Sequence, residues 1–198
     1  MMIRIERHSG AALEAYIPAL ARLRIEVFRE FPYLYDGDLN YESEYLQTYC
    51  QSDGSLIVLA LDGDDVVGAS TGLPLSHESD AFRRPFYEQD YNIDKIFYFG
   101  ESVLQKKYRG QGLGVKFFHE REAHARALGG FNLTCFCAVQ RPLHHLRRPQ
   151  NYTPLDSFWN KRGYTKHPAL QTEYVWQDLD ETTPSAKTMV FWLKKWPD

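Results

Sequence analysis

The glycine-rich segment at residues 108–115 constrains the fold of this chain more than any other feature. It has the sequence YRGQGLGV, follows an apolar run and opens an amphipathic helical pattern. Its three alternating glycines leave no side chains between the backbone and a docked group. The first N–H groups of a helix have no intrahelical partner and carry the positive end of the helix dipole. With the charge of Arg109 beside them, they predict a site for a phosphorylated ligand.

The length and composition are those of one soluble domain. The chain has 198 residues, 43% hydrophobic and 25% charged, so we expect a single domain over residues 1–198. A net charge of −3 argues against a general nucleic-acid-binding protein. The sequence has no run of eighteen apolar residues that could span a membrane, and its charged N-terminus lacks a signal-peptide core. Three cysteines form neither a disulfide framework nor a C-x-x-C pair, so we expect a cytoplasmic protein.

The first quarter of the chain is mainly helical in its periodicity. It predicts a short strand at residues 3–5 and a helix that begins after Ser9 and runs through Ile17. Pro18 either kinks that helix or begins a second helical segment. A further helix is predicted over residues 41–51.

The remaining pattern alternates strands with two more helices. It predicts a hairpin over residues 56–69, a long loop over 73–94, a strand over 95–104, a helix from the glycine segment to residue 128, a strand over 131–139, a short helix over 155–162 and a last antiparallel pair at 174–176 and 189–193. This order indicates an α+β fold with a mixed sheet, and it differs from the regular alternation of a doubly wound fold.

Two common phosphate-binding loops fit the glycine segment poorly. A P-loop places Lys-Ser or Lys-Thr after its last glycine, and this segment has neither. A dinucleotide-binding loop reads G-x-G-x-x-G; Gly110 and Gly112 fit it, but Val115 stands at the third glycine position. A glycine-rich turn that binds no ligand is a further alternative.

The pattern that fits is [Q/R]-x-x-G-x-[G/A], with Arg109, Gly112 and Gly114 at its defined positions. It resembles the coenzyme A pyrophosphate loop of the GNAT acetyltransferases, and the order of elements along nearly the whole chain is similar to that family. The strand before the loop and the late helix with FWNKRGY at residues 158–164 also have counterparts there. The resemblance implies a GNAT-like mixed, mostly antiparallel twisted sheet flanked by helices.

The same resemblance implies acetyl-CoA as co-substrate and no metal. Backbone N–H groups of the loop would hold the pyrophosphate, and the loop residues are Arg109, Gly110, Gln111, Gly112, Leu113 and Gly114. The thioester and pantetheine would lie beside the strand that contains Val103 and Leu104, with the Leu104 N–H facing the oxyanion. Asn151 stands near the position of a pantetheine-binding asparagine in the family.

Glu101 is the candidate general base, because it is an acid in an otherwise apolar strand. The alternative is a structural carboxylate bonded to a neighbouring strand or to Arg109. Strict alternation places Glu101 and Val103 on one face of the strand and Tyr98 and Ser102 on the other, although the family often bulges this strand. Tyr98 is therefore a second candidate for the active-site face.

The late helix departs from the family pattern at one position. Many members carry a tyrosine there that protonates the departing thiolate, and Trp159 stands at that position in this chain. Either the thiolate leaves without this acid, another group replaces it, or the protein binds CoA without efficient chemistry. Tyr152 is the candidate replacement.

Two further clusters have open interpretations. A basic loop contains Arg141, His144, His145, Arg147 and Arg148. It either contacts an anionic acceptor or the 3′-phosphate of CoA, or it is simply a solvated loop, and no Cys, Asp or Glu stands at a metal-binding spacing from its histidines. Cys135 and Cys137 share one face of a strand, where we expect buried side chains.

The leading functional hypothesis is an N-acetyltransferase. It would transfer the acetyl group of acetyl-CoA to a primary amine of a small molecule or protein by direct attack in a ternary complex. The alternatives are a non-catalytic acyl-CoA-binding or sensing module and a nucleotide-binding protein. We expect an amine acceptor and a homodimer partner, but no nucleic acid or membrane. The aromatic residues expected in an enclosed acceptor pocket are Phe31, Tyr33, Tyr35, Phe86 and Tyr87.

Overall fold

The computed structural model describes residues 3–196, which form a sheet flanked by helices. The strands are β1 Arg4–His8, β2 Leu56–Asp62, β3 Asp65–Pro74, β4 Ile96–Tyr98, β5 Ser102–Leu104, β6 Leu133–Val139, β7 Thr165–Trp176 and β8 Ser185–Lys195. The α-helices are α1 Ile17–Phe28, α2 Leu39–Gln51, α3 Asp80–Tyr87, α4 Leu113–Leu128 and α5 Asp156–Asn160. Short 3₁₀ segments cover Gly10–Tyr16, Leu75–His77, Ile93–Lys95 and Lys106–Tyr108.

The sheet is mixed and mostly antiparallel, as predicted. Its order is β1-β2-β3-β4-β6-β8-β7, and β5 pairs with β3 beyond the end of β4. The parallel pair is β4 with β6, and the other pairs of named strands are antiparallel. The α+β fold class is therefore confirmed.

Helices cover both faces of the sheet. Alternate residues of β2 contribute to two separate cores, one with α1 and α2 and the other with α4. The apolar run of β2 is therefore a strand buried on both faces, which explains why it shows no polar alternation. A third, aromatic core lies between α4, β6, β8 and the segment around α5.

A bulge separates β4 from β5. Leu73 on β3 pairs with Tyr98, and Ser70 pairs with Ser102, so four steps on one strand oppose three on the other. The extra residue turns Tyr98, Glu101 and Val103 to the same side, toward α1 and α2. Of the two arrangements that the sequence left open, the strand therefore has the bulged one, with Tyr98 and Glu101 on the same face.

The bulge also marks the place where the sheet opens. β4 pairs with β6 as far as Tyr98 and Cys135, and the Phe99 N–H still donates to the Cys135 carbonyl at 2.8 Å. Beyond this point β5 pairs with β3, whereas the rest of β6 pairs with β8. The two strands therefore diverge and leave an opening between them, called here the strand opening.

Arg121 of α4 stabilises the bulge from beneath. Its guanidinium is buried over the rings of Phe99 and Phe118, at 4.3 and 4.9 Å from their centroids. One terminal nitrogen donates to the carbonyls of Thr71 and Glu101, both at 3.3 Å. Burial lowers the pKa of Arg121 to about 10, so the side chain stays charged at neutral pH. Arg121 therefore adds a second donor to two carbonyls that already accept backbone N–H groups across the bulge, from Gly100 and Thr71.

The helix α3 was predicted as part of a long loop, and that prediction is wrong. Pro85 lies inside this helix and cannot donate to the Ala81 carbonyl four residues earlier. The Thr172 hydroxyl of β7 donates to that carbonyl instead, at 2.6 Å. Phe82 and Phe86, one turn apart, are both buried in the core. Tertiary contacts therefore compensate for the proline.

At the N-terminus, Pro18 begins a second segment. The residues before it form the 3₁₀ segment Gly10–Tyr16, and Pro18 lies in the first turn of α1, where its missing N–H has little cost. Helix α2 begins with an aspartate cap, because the Asp38 carboxylate accepts from the N–H groups of Asn40 and Tyr41 at 3.0 and 2.9 Å.

We predict that Gly100→Ala destabilises the protein by about 1–3 kcal/mol. A Cβ at this position would overlap the buried Tyr49 hydroxyl and lie 2.5 Å from Thr71 Oγ1. Denaturant unfolding of Gly100→Ala, Tyr49→Phe and the double variant measures the effect. Removing the hydroxyl should make the loss in the double variant smaller than the sum of the single losses. Additive losses would show that the Tyr49 hydroxyl is not the obstacle.

Candidate functional site

The glycine segment forms the N-terminal end of α4. Gly110 and Gly112 have φ of +77° and +82°, and Gly112 is the N-cap residue. The N–H groups of Val115 and Lys116 donate to the Gly112 carbonyl, so the N–H groups before them start the helix without intrahelical partners. The first turn has no acidic residue to compensate the positive end of the dipole.

Three further candidate loop residues also contact neighbouring residues. The Leu113 side chain is buried in the core below α4, so only its backbone can contact a ligand. A Cβ on Gly114 would lie 3.2 Å from Cζ of Phe158 in helix α5. Gln111 is exposed, and its side chain donates to the Lys107 carbonyl at 3.1 Å.

Arg109 connects the loop to β5 and to the end of α1. Its terminal nitrogens donate to both carboxylate oxygens of Glu30 at 2.8 Å, and Nε donates to the Leu104 carbonyl at 2.9 Å. The charge predicted to lie beside a phosphate is therefore paired with a carboxylate. Because Arg109 binds Glu30, the alternative that it pairs with Glu101 is wrong.

The edge of β5 presents backbone groups to the strand opening. The Gln105 N–H donates to the Val67 carbonyl of β3, and the Glu101 carbonyl accepts from Thr71 of the same strand, both at 3.0 Å. Along an antiparallel strand, the backbone N–H and C=O groups of successive residues point to opposite sides. The backbone groups of Val103 therefore also point toward β3, and those of Leu104 point away from it. The Leu104 N–H therefore points into the opening, whereas the Val103 side chain is fully buried.

Glu101 is buried and has an arginine partner from a helix. Its Oε1 lies 2.6 Å from a terminal nitrogen of Arg24 on α1, and its Oε2 accepts from the Tyr45 hydroxyl at 3.3 Å. Arg24 also pairs through Nε with the buried Glu42 of α2. Its guanidinium lies 4.5 Å from the ring centroid of Tyr45 and 5.1 Å from that of Phe28. We call Arg24, Glu42 and Glu101 the charged triad.

A cavity of about 100 Å³ lies against the charged triad. The remaining lining residues are mostly aromatic: Phe28, Tyr33, Tyr35, Tyr41, Tyr45, Phe82, Tyr98, Gly100, Cys137, Tyr174, Trp176 and Met189. Gly100 and Glu101 come from the bulge, and Cys137 comes from β6. The cavity therefore touches both sides of the strand opening.

Tyr98 and Cys137 meet in this cavity, with the hydroxyl 3.3 Å from the sulfur. Burial raises the pKa of Cys137 to about 12 and that of Tyr98 well above its usual value. Both groups are therefore protonated at neutral pH, and Cys137 is not a thiolate nucleophile. With Cys135 on the same buried face, this confirms that the two cysteines are buried packing residues.

No protein-family model matches the sequence, and no curated protein sequence matches it significantly. Solved structures match it along almost its whole length. A ribosomal-protein-alanine N-acetyltransferase from Brucella melitensis has a TM-score of 0.62 at 17% identity, over 98% of this chain and 99% of that one. An acetyltransferase of the GNAT family from Streptococcus pneumoniae has a TM-score of 0.60 at 15% identity, over 99% and 100%. The protein yncA from Salmonella typhimurium, solved with its cofactor acetyl-CoA, has a TM-score of 0.62 at 11% identity, over 100% and 96%.

This chain has the fold of the GNAT acetyltransferases. Within the GNAT fold, the structure brings the glycine loop, the β5 edge and Glu101 together around the strand opening. Tyr98 joins them because of the bulge. Tyr33 and Tyr35 line the cavity as expected, whereas Phe31, Phe86 and Tyr87 do not.

The other candidate residues implied by the resemblance to the GNAT acetyltransferases lie outside the cavity. Tyr152 stands in the loop after β6, with its ring edge-on to Phe31 at 4.7 Å and below the guanidinium of Arg148. Burial raises the pKa of its hydroxyl. Asn151 is exposed in the same loop. Trp159 packs against Phe136 and Trp192 in the aromatic core, at 5.1 and 4.9 Å between ring centroids.

The basic loop does not act as one unit. Arg141 pairs with Asp178 at 2.7 Å and donates to the carbonyls of Pro32 and Tyr33, also at 2.7 Å, so it is a structural residue rather than an anion contact. His144 and Arg147 are exposed. Among residues 3–196 no group of three or more His, Cys, Asp or Glu side chains could hold a metal ion. In that same range, no helix has the length and apolarity needed to cross a membrane.

Sequence reasoning missed Arg24 and Glu42. Both lie on the apolar stripe of their helices: Arg24 follows the buried Leu23, and Glu42 is one turn from the buried Leu46. A charged residue at a core-facing position was the available signal, because such residues are rarely buried without a partner.

Glu78, after β3, was missed in the same way. It is buried, and its Oε2 accepts from the Ser79 N–H at 3.1 Å. Burial raises the pKa of Glu78 from 4.5 to about 7; the Ser79 N–H partly opposes this shift and the charge of Glu101 adds to it. Glu78 therefore changes charge near neutral pH.

We predict that Gly112→Ala weakens the binding of CoA by about tenfold or more, because an alanine at φ of +82° strains the end of α4 and displaces its N–H groups. Calorimetric titration with CoA measures the effect. The matched control is Gly63→Ala in the β2–β3 turn, which has a φ of +62° and, like Gly112, no atom within 4 Å of an added Cβ. It should lose stability but keep its CoA affinity. An equal loss of affinity in both variants would contradict a binding role for the loop.

We also predict a pH-dependent loss of stability caused by Glu78. A carboxyl with a raised folded-state pKa contributes its stability fully below its unfolded pKa of 4.5, and that contribution is lost as the pH rises through about 7. Relative to the wild type, Glu78→Gln should therefore gain about 3 kcal/mol of unfolding free energy between pH 4.5 and pH 8. Denaturant unfolding at several pH values measures the gain. The exposed Glu88→Gln is the control, and the same pH profile in both variants would contradict the prediction.

Proposed function

We propose that this protein is a GNAT-superfamily N-acetyltransferase that uses acetyl-CoA. The observation that supports it is the arrangement around the strand opening. A glycine loop at a helix N-terminus lies at one end, tied to β5 by Arg109, and a cavity with a buried carboxylate touches both strands at the other. The GNAT fold of structural neighbours, one of them solved with acetyl-CoA, agrees with this arrangement.

The residues around the opening fit the chemical groups of acetyl-CoA. The unpaired N–H groups at the start of α4 suit the pyrophosphate, since the loop glycines leave them accessible and no first-turn acid repels an anion. The free edge of β5 suits the amide groups of pantetheine, which can hydrogen-bond as an added strand does. The Leu104 N–H then donates to the thioester carbonyl oxygen as negative charge develops there.

The proposed reaction is a direct transfer. The amine nitrogen forms a bond to the thioester carbonyl carbon, the carbon–sulfur bond breaks, and CoA leaves as the thiolate. The acceptor nitrogen loses two protons: Glu101 accepts the one that converts the ammonium into the attacking amine, and the one released as the amide forms balances the proton that the thiolate takes up. Holding both substrates at the opening supplies much of the acceleration, since positioning contributes roughly 7–11 kcal/mol in well-oriented reactions. Tyr152 remains our candidate for protonating the thiolate, because its hydroxyl carries a proton at neutral pH.

A non-catalytic acyl-CoA-binding module is the second candidate. Trp159 favours it, because this side chain has no ionisable group and is held in the aromatic core by Phe136 and Trp192. Calorimetric titration with acetyl-CoA tests both candidates together, and no binding at millimolar ligand would exclude both. Thiol release in the presence of an amine series then separates the enzyme from the module.

We predict that Glu101→Gln lowers the turnover number at pH 7 by about tenfold to a thousandfold while CoA affinity is unchanged. The amide cannot accept the proton of the amine. At alkaline pH, where solvent already deprotonates the acceptor, the variant should recover toward the wild-type rate. Steady-state rates between pH 6.5 and pH 10 measure this. A constant ratio of variant to wild-type rates across that range would instead assign Glu101 a structural role.

A further inference from the structure

The cavity beside the strand opening has one negative charge in excess. Of its lining residues, Arg24 is the single cation, and Glu42 and Glu101 are the two carboxylates. Arg24 already binds both, through Nε to Glu42 and through a terminal nitrogen to Glu101 at 2.6 Å. The cavity therefore holds no cation that is available to a ligand. A second positive charge would balance the charged triad.

Glu42 offers a specific place for that charge. The residue is 1% exposed, and its Oε2 binds Arg24. Its Oε1 is buried and has no hydrogen-bond donor among the described residues. The Tyr35 hydroxyl lies beside this carboxylate as a neutral donor: burial, the charge of Glu42 and hydrogen bonding to Glu42 raise the pKa of Tyr35. A neutral hydroxyl does not balance the charge of a buried carboxylate, so an N–H⁺ group from a ligand would be stabilised at Oε1.

The walls of the cavity suit an apolar cation. Aromatic faces attract ammonium groups through their quadrupole, and the hydroxyls of Tyr41 and Tyr174 bind each other rather than the cavity. Few polar groups of the cavity remain free to hydrogen-bond with a hydroxyl or an anionic group of the ligand in place of the water that such a group loses on entry. The volume of about 100 Å³ is smaller than the roughly 150 Å³ of a cavity that admits benzene, so it encloses an ammonium end and a short alkyl segment.

We propose that the acceptor is an apolar alkylamine that enters this cavity as the ammonium ion, contacts Glu42 Oε1, and carries no carboxylate on the carbon next to its nitrogen. This proposal rests on the proposed acetyltransferase function. It excludes free α-amino acids, because their carboxylate would be buried beside two carboxylates and an arginine that is already paired. A lysine side chain or a simple primary amine meets the requirement.

Three amines of matched length test the proposal. They are n-butylamine, norvaline, which adds a carboxylate to the same carbon, and norvalinamide, which adds a neutral group of similar size. With the wild-type protein and acetyl-CoA, we expect kcat/KM to be at least about a hundredfold higher for n-butylamine than for norvaline, with norvalinamide in between. Equal or better use of norvaline would overturn the proposal and leave the acetyltransferase function intact. Equal rejection of norvaline and norvalinamide would also overturn it, since size rather than charge would then discriminate.

Direct binding keeps the proposal testable if no acyl transfer is found. Calorimetry of the wild-type protein with n-butylammonium and with norvaline requires no acetyl-CoA. We expect n-butylammonium to bind at least about tenfold more tightly. Equal affinities, or no binding of n-butylammonium at millimolar concentration, would overturn the proposal. Failure of acetyl-CoA binding would overturn the proposed function instead.

Glu42→Gln tests the residue itself. Losing the excess charge should raise KM for n-butylamine by about tenfold or more and reduce its advantage over norvaline. The matched control is Glu44→Gln, an exposed position on the same helix with the same change of charge, which should leave both values as in the wild type. Thermal unfolding and CoA affinity check that Glu42→Gln is folded. An unchanged KM in a folded Glu42→Gln variant would overturn the assignment.

Discussion

The extra residue between Tyr98 and Ser102 is the constraint on which the rest of the site depends. It interrupts the pairing of β4 with β6 and lets β5 diverge, which creates the strand opening. Buried neighbours hold the irregular backbone and leave space for it. Arg121 donates to two carbonyls around the bulge, and the absence of a side chain on Gly100 leaves room for Tyr49 and Thr71. A regular strand here would close the sheet and turn Tyr98 away from the cavity.

The charged triad is the second determinant, and it couples three elements. Arg24 belongs to α1, Glu42 to α2 and Glu101 to the bulge, so one guanidinium holds both helices against the opening. Burying three charges is costly, and a buried ion pair is weak evidence for stability. The excess negative charge in this aromatic cavity is therefore better explained by the proposed binding of a cation than by a contribution to stability. The same contacts hold Glu101 in place at the edge of the opening.

The parts of the fold that follow from local pattern were predictable. The β2–β3 hairpin and helices α1, α2 and α4 were predicted with boundaries a few residues different, since their periodicity and turns are local properties. The final strand pair was also predicted, but β7 begins at Thr165, well before the predicted start at residue 174. Helix α3 was missed because Pro85 signals a loop, and contacts with distant residues such as the Thr172 hydroxyl compensate for it. The face that Tyr98 occupies stayed open in the sequence, because one inserted residue reverses every later side chain in a strand.

The sequence by itself determined the class of site: a glycine loop at the start of a helix, its place after a strand, and an acid in that strand. These depend on residue types and spacings within about twenty positions. Only the tertiary structure decided the partners of those residues. Arg109 binds Glu30 and Glu101 binds Arg24, each about 80 positions apart along the chain, and the cavity collects side chains from seven helices and strands. Such pairings have no local signature, because charge and shape complementarity between distant segments exists only once the sheet and helices have packed.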